Sequence, residues 1–326
     1  MKVNRDRFRA LFSERKKRRI LVFGDIILDH YIFGQIRRIS PEAPVPILEV
    51  TDEKLAAGGS ANVALNLSEL GFNVQLSGLI GEDADGEYLD NMLRKKGVGT
   101  EFIQKDRERP TSKKSRMIAQ RQQVVRVDRE VVNPISSDLA GQFMDRLTPF
   151  ADMFDVIIFQ DYNKGLLTKE LILSALALFK DKIVAVDPKY HHFFDFTGVT
   201  LFKPNVRELR QAFGIMSGET PSLDDLSRRA LEMLQCENML LTQGEKGMTL
   251  YEKRGGSAHI PTRAKVIYDV SGAGDTVISV VGGALACGAS MQEAATLGNY
   301  AAGVVVAKLG VAPITYQELF HALPSD

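Results

Sequence analysis

Ile20-Leu21-Val22-Phe23-Gly24-Asp25 sets four β-favouring apolar residues in a row and closes on a glycine and an acid. A strand with one wet face alternates apolar and polar residues. An unbroken apolar run of this length fits a strand covered on both faces. The pattern recurs along the chain. Val156-Ile157-Ile158-Phe159 leads to Asp161, Ile183-Val184-Ala185-Val186 to Asp187-Pro188, and Met239-Leu240-Leu241-Thr242 to Gly244. Val74 to Ile80 follows the helix-like stretch Ala61 to Leu70. Such strands, separated by helical patterns, predict a doubly wound, mostly parallel α/β sheet. The polar and glycine-bearing turns fall at the strand C-termini, where sheets of this kind bind ligands.

Two stretches break the alternation. Asp29 to Val50 carries the proline-rich turn SPEAPVP. Thr111 to Asp128 carries Met117-Ile118-Ala119 and Val124-Val125-Arg126-Val127 around the polar bend Gln120-Arg121-Gln122-Gln123. Each reads as antiparallel strands. Together they predict a small β-sheet on one edge of the main domain, serving as a lid or a dimer contact. The N-terminus, MKVNRDRFRALFSERKKRRI, is basic, and Phe8, Leu11 and Phe12 share one helical stripe. Asp6 and Glu14 interrupt a transit-peptide pattern, and a nucleic-acid arm is a second reading. The expectation is a solvated helical extension over residues 1–18, ahead of the first strand.

Composition narrows the function. The chain has 326 residues, 44% hydrophobic and 25% charged, as in an ordinary soluble globular protein long enough for a large core. Lys+Arg and Asp+Glu are 41 each, which argues against general nucleic-acid binding but leaves room for a local anion pocket. The two cysteines, Cys236 and Cys287, form no CxxC pair and point to a reducing, cytoplasmic setting. The five histidines form no HExxH pattern. No apolar run approaches the roughly 18 residues of a membrane span. GxxxxGK[ST] is absent, and no strand-linked GxGxxG is followed by the expected acid.

Four motifs carry chemistry. In DVSGAGDTVIS, Asp269 to Ser279, the bare turn Gly272-Ala273-Gly274 opens an apolar helix, and Asp275 follows at once. Unpaired amides at the positive end of a helix attract an anion. A carboxylate beside them makes sense as a proton acceptor for whatever attacks that anion. The same residues also read as a glycine turn with Asp275 as a cap. In AAGGSANVALNLSELG, Ala56 to Gly71, Gly58 and Gly59 precede a helix carrying Asn62. That is either a ligand approach with an amide for hydroxyls, or close packing. In LFKPNVREL, Asn205 and Glu208 match a capping box, or organise water around Mg²⁺. In LLTQGEKGM, Thr242 and Gly244 form a hairpin, or offer a hydroxyl and backbone to phosphates.

Taken in order, these motifs resemble the ribokinase-like, or PfkB, family of sugar kinases from Arg19 onward. GGSAN resembles the family's N-terminal signature. DVSGAGD resembles its C-terminal one, usually DTxGAGD, with Val270 in place of the common Thr. The resemblance implies a single kinase domain over residues 1–326: a three-layer α/β/α sandwich with a mostly parallel sheet and a β-sheet lid. Within the family, SPEAPVP, DYNKG at Asp161 to Gly165 and VDPK at Val186 to Lys189 are similar to heptose-7-phosphate kinases of lipopolysaccharide core synthesis. Many of those carry a fused nucleotidyltransferase; a chain ending at Asp326 implies a kinase-only form. The implied partners are ATP, Mg²⁺ and heptose 7-phosphate, with room for a monovalent cation and no nucleic acid or membrane. Gly272, Ala273 and Gly274 would stabilise the γ-phosphoryl group and Asp275 would accept the proton of the sugar's 1-hydroxyl. Asn205 and Glu208 would serve the metal through water, and Thr242 and Gly244 the nucleotide. Asp29, Gly58, Gly59 and Asn62 map to sugar hydroxyls. Lys164, Lys189, Arg116 and Arg126 are candidates for the 7-phosphate. The exposed strand edge of the lid predicts a homodimer through it. The rival readings are the same chemistry on another sugar, a nucleotide-binding regulator without catalysis, and a nucleic-acid binder using the basic N-terminus.

Overall fold

In the computed structural model, which describes residues 3–120, 122–215, 221–264, 266–308 and 310–325, thirteen strands fall into two sheets. They are β1 (Arg19–Gly24), β2 (Ile26–Ile39), β3 (Pro46–Gly59), β4 (Asn73–Gly81), β5 (Val98–Asp106), β6 (Lys113–Ala119), β7 (Gln122–Arg129), β8 (Val156–Gln160), β9 (Ile183–Asp187), β10 (Leu201–Phe202), β11 (Asn238–Thr242), β12 (Met248–Glu252) and β13 (Ser257–Ile260). The main sheet runs β13-β12-β11-β10-β9-β8-β1-β4-β5. All neighbours in it are parallel except at β11–β12 and β12–β13, which form the hairpin end. β1 feeds β4 on one side and has β8 on the other, so the strand order reverses at β1/β8.

The unbroken apolar runs are divided between two cores. Ile20 and Val22 of β1, with Val156 and Ile158 of β8, enter one cluster. Leu21, Phe23, Ile157 and Phe159 enter the other. Helices Ser60–Glu69, Ala273–Ala286 and Met291–Val305 cover the first face. Ser137–Leu147, Lys169–Leu178 and Leu223–Leu234 cover the second. Period-two side-chain alternation between two buried faces is why these strands show no polar positions.

The second sheet is the expected lid, in the order β3-β2-β6-β7. Each expected segment is an antiparallel pair, β2–β3 and β6–β7, and both reach further than the sequence pattern indicated. The central pair β2–β6 is parallel, a join that no local pattern encodes. Arg121, which the sequence reading set in the polar bend, lies outside the described residues, as do Met1 and Lys2.

The N-terminal extension is solvated on one face only. Helix Arg5–Leu11 and the turn after it bury the predicted stripe of Phe8, Leu11 and Phe12. Phe8 packs 4.9 Å from Tyr316, in the C-terminal helix Tyr316–Ala322. The basic residues are spent locally: Arg5 donates to the Phe320 and Leu323 carbonyls, and Arg7 pairs with Glu293 at 2.7 Å.

Candidate active site

The C-terminal ends of β1, β8 and β9 carry Asp25, Gln160 with Asp161, and Asp187, and the Ala273–Ala286 helix points its N-terminus at them. This is the switch point of the sheet, where ligands bind in open α/β folds. Gly272 is the N-cap of that helix, with φ +77°, and a Cβ built on it would stand 2.9 Å from Asn62 Nδ2. Both the left-handed backbone and the crowding call for glycine there. Ala273 donates its amide to the Val270 carbonyl at 3.2 Å, so it is not a free anion donor as the motif implied. Among the described residues the amides of Gly272, Gly274 and Asp275 have no hydrogen-bond partner.

Asp275 is the third residue of the helix, not its cap. Its carboxylate bonds no backbone amide. Oδ2 accepts from Asn62 Nδ2 at 2.8 Å, and Oδ1 accepts from the Tyr162 hydroxyl at 2.9 Å and Gln160 Nε2 at 3.1 Å. Gln160 Nε2 also reaches Asp187 Oδ2 at 3.1 Å, and Lys203 Nζ pairs with that oxygen at 3.0 Å. Burial pushes the Asp275 carboxyl up to about 6. The Asn62 hydrogen bond opposes that rise, Asp187 adds to it, and Tyr162 and Lys203 also oppose it. Burial, then the charges of Asp275 and Asp187, hold the Tyr162 phenol well above its usual range, so it is a donor at neutral pH. A poised carboxylate of this kind, beside free helix amides, can take a proton from a hydroxyl.

A cavity of about 410 Å³ opens in front of this group. Gly272, Gly274, Asp275, Asn205, Thr242 and Gly244 all line it. The two predicted motifs of the nucleotide side therefore converge on the glycine turn. The capping box is real: Asn205 Oδ1 accepts from the Glu208 amide at 2.8 Å, and Glu208 Oε2 from the Asn205 amide at 2.9 Å. Its other oxygen is paired with Lys189. Capping and facing the cavity are compatible, because the helix Val206–Ala212 begins at the cavity wall. Thr242 Oγ1 donates to the Pro204 carbonyl at 3.4 Å, and Gly244 has φ +61°.

The sugar-side residues are distributed unevenly. Asp29, on β2, is buried and pairs with Arg116 of β6 at 2.5 Å. Gly58 lies beside it: a Cβ there would come within 2.4 Å of Asp29 Oδ2. Gly59 ends β3 and is the N-cap of the Asn62 helix. Asn62 donates its Nδ2 to Asp275 at 2.8 Å. Of the four cations, Lys164 pairs with Glu130 at 2.7 Å and Arg126 with Asp128 at 3.0 Å. Lys189 is not with them. It lines the cavity, bonded to Glu208 and 4.7 Å from the Tyr162 ring centroid. Burial alone would lower its pKa, but Asp187 and Glu208 outweigh that and hold it above the usual range. Sequence reasoning missed Gln160, Tyr162, Asp187 and Lys203. Their signal was the recurrence of carboxylates and amides at the ends of apolar strands.

Comparison with known proteins bears on the family and the fold. Residues 17–317 match the pfkB family carbohydrate kinases. The "Bifunctional protein HldE" of Syntrophotalea carbinolica is 40% identical over 323 residues, 98% of this chain. The chain spans 66% of that relative's length. Among solved structures, Arabidopsis thaliana ribokinase complexed with ribose and ATP superposes with a TM-score of 0.74 at 17% identity, covering 94% of this chain and 98% of its own. Phosphofructokinase-2 from Escherichia coli, in complex with potassium, gives a TM-score of 0.77 at 16% identity, with 94% and 97% covered. These two likenesses establish the ribokinase-like fold.

Proposed function

Since the chain belongs to the pfkB family of carbohydrate kinases, we propose that it transfers the γ-phosphoryl group of ATP to the 1-hydroxyl of heptose 7-phosphate, giving heptose 1,7-bisphosphate. The carrying observation is the Asp275 carboxylate, buried beside free helix amides at the mouth of a cavity large enough for a nucleotide. Asp275 takes the hydroxyl proton as the oxygen attacks. The amides of Gly272 and Gly274 face the charge spread over the transferring group, where fixed donors in a dry site act most strongly. The phenol of Tyr162 and the amides of Asn62 and Gln160 orient the carboxylate. Lys203 and Lys189 add positive charge on the same wall.

The residues fit Mg²⁺, which binds through one or two carboxylates and keeps several waters. Asn205 and Glu208 would hold it through water, since both oxygens of Glu208 already have partners. The metal would neutralise phosphate charge. For the sugar, the reading rests on the similarity of SPEAPVP and its neighbours to heptose-7-phosphate kinases. The 7-phosphate falls to the lid, where Arg116 and Arg126 stand directly opposite across β6–β7. Each is already paired with a carboxylate, Arg116 with Asp29 and Arg126 with Asp128, so a sugar phosphate would compete with those pairs. Arg126 is half exposed, and its surface pair with Asp128 is of the weak kind that a ligand phosphate can displace.

A homodimer through the lid is part of this proposal. Ile32, Met117 and Val125 are aligned cross-strand on its outer face, and Val125 and Val127 are about half exposed. An exposed apolar strip of this kind supports a contact. The test is ATP consumption against a panel of phosphorylated and free sugars. The expected result is a strong preference for heptose 7-phosphate. Equal or better turnover of ribose or fructose 6-phosphate would overturn the substrate.

A further inference from the structure

We propose that Asp25 is a positioning residue that seats the donors of Asp275, acting chiefly through Tyr162. The inference rests on the kinase reading above, in which Asp275 is the base. Asp25 follows β1 directly and is buried. Its Oδ2 accepts two backbone amides from the next loop, Tyr162 N–H at 2.7 Å and Lys164 N–H at 3.1 Å. Its own amide donates to the Gln160 carbonyl at 3.0 Å, and its carbonyl accepts from Ser60 N–H at 2.9 Å. One residue therefore ties down the segments that bear Gln160, Tyr162 and Asn62, the three side chains that donate to Asp275. The side chain holds only the Tyr162 loop; the backbone holds the other two. Asn163, between the two held amides, adopts φ +53°, a left-handed conformation that asparagine tolerates, and its own amide donates to Asp161 Oδ1 at 2.7 Å.

The single oxygen used is what makes the proposal testable. Both loop amides meet Oδ2, while Oδ1 has no partner among the described residues. Burial, then the charge of Asp161, pushes the Asp25 carboxyl up to about 7. A carboxamide offers the same single acceptor to the two loop amides. So Asp25→Asn should keep the loop, and Asp25→Ala should release it.

The experiment measures kcat and the KM for ATP in the full chain for Asp25→Ala, Asp25→Asn, Tyr162→Phe and the Asp25→Ala/Tyr162→Phe double variant. Backbone amide exchange is followed at Tyr162 and Lys164. We expect kcat to fall about tenfold or more in Asp25→Ala, with the KM for ATP within about twofold and kcat in Asp25→Asn within about threefold of wild type. The double variant should lose little beyond Asp25→Ala, because both changes remove one coupled interaction. Exchange at both amides should rise in Asp25→Ala only. Wild-type kcat in Asp25→Ala, or a double variant whose loss is the product of the single losses, would overturn the proposal. So would an Asp25→Asn as slow as Asp25→Ala. If Asp25→Ala does not fold, Asp25→Ser, whose short hydroxyl cannot hold both amides, is read against the same limits. A wild type that consumes no ATP with any sugar phosphate refutes the kinase reading instead, and the exchange measurement still reports on the loop.

Discussion

Asp275→Asn should nearly abolish turnover while leaving the protein as stable as before, or more so, at pH 8. The loss of a positioned general base costs about 10²–10⁴ in rate, or roughly 3–5 kcal/mol of activation free energy. Stability moves the other way. Burial raises this carboxyl from 3.8 to about 6. Between those values the folded protein binds more protons than the unfolded chain, so stability falls as pH rises through the window. The gap of about two units is roughly 3 kcal/mol, all of it lost to the wild type above pH 6. An uncharged amide escapes that cost. Against this, Asn62 now meets an N–H₂ where it met a carboxylate oxygen, and a displaced hydrogen bond is worth about 1 kcal/mol. The expected balance at pH 8 runs from neutral to about 2 kcal/mol stabilising, and it narrows as pH falls toward 4. A helix cap predicts neither effect. Asp275 sits at the third helical position, where its charge would contribute only about 0.3–1 kcal/mol through the helix dipole, lost in the variant. The assays are steady-state turnover at pH 8, thermal melts at pH 5 and 8, and calorimetry for ATP·Mg²⁺. Turnover within a few-fold of wild type would remove Asp275 as the base. A variant melting well below wild type at pH 8 would show its carboxylate to be a structural anchor.

Lys203→Met leaves Asp187 without its buried partner beside Asp275 and should cost about 3–5 kcal/mol in a denaturant melt, with a raised KM for ATP; unchanged stability would show that the pair is not desolvated. Arg126→Ala should raise the KM for the sugar phosphate roughly tenfold and leave that for ATP nearly unchanged, the loss of a charged hydrogen bond being about 1.5–3 kcal/mol; an unchanged KM would move the phosphate elsewhere. Val127→Asp, on the outer face of the lid, should give a monomer by analytical ultracentrifugation at micromolar concentration. A wild type that is already monomeric and fully active would refute the lid dimer.

The inner strands were legible because their apolar runs are covered on both faces; β5 and β13, the two edges of the sheet, were not, nor was β10, since two residues, Leu201 and Phe202, carry no period. The stripe of Phe8, Leu11 and Phe12 was legible, but not what it packs on, because Tyr316 and Phe320 lie some three hundred residues away. The site divides along the same line. Gly272 and Asp275 announce themselves through one helix start, a local feature. Of the three donors to Asp275, Asn62 was legible as a site residue but not as a partner of Asp275, and Gln160 and Tyr162 were not legible at all. Asn62 lies in the first turn after β3, Gln160 ends β8 and Tyr162 sits just beyond it. Only the order of strands around β1 brings them together. The recurring acids after β1, β8 and β9 hinted at this, and their roles differ in a way sequence does not express. Asp187 pairs with Lys203 in the cavity wall, while Asp25 turns inward to hold backbone. The physical reason is the switch point itself. Where neighbouring parallel strands part in opposite directions, their ends expose amides and carboxylates to a common cleft. A base placed there can be oriented by donors from segments that share no local pattern, so its neighbours are set by topology and its identity by the motif.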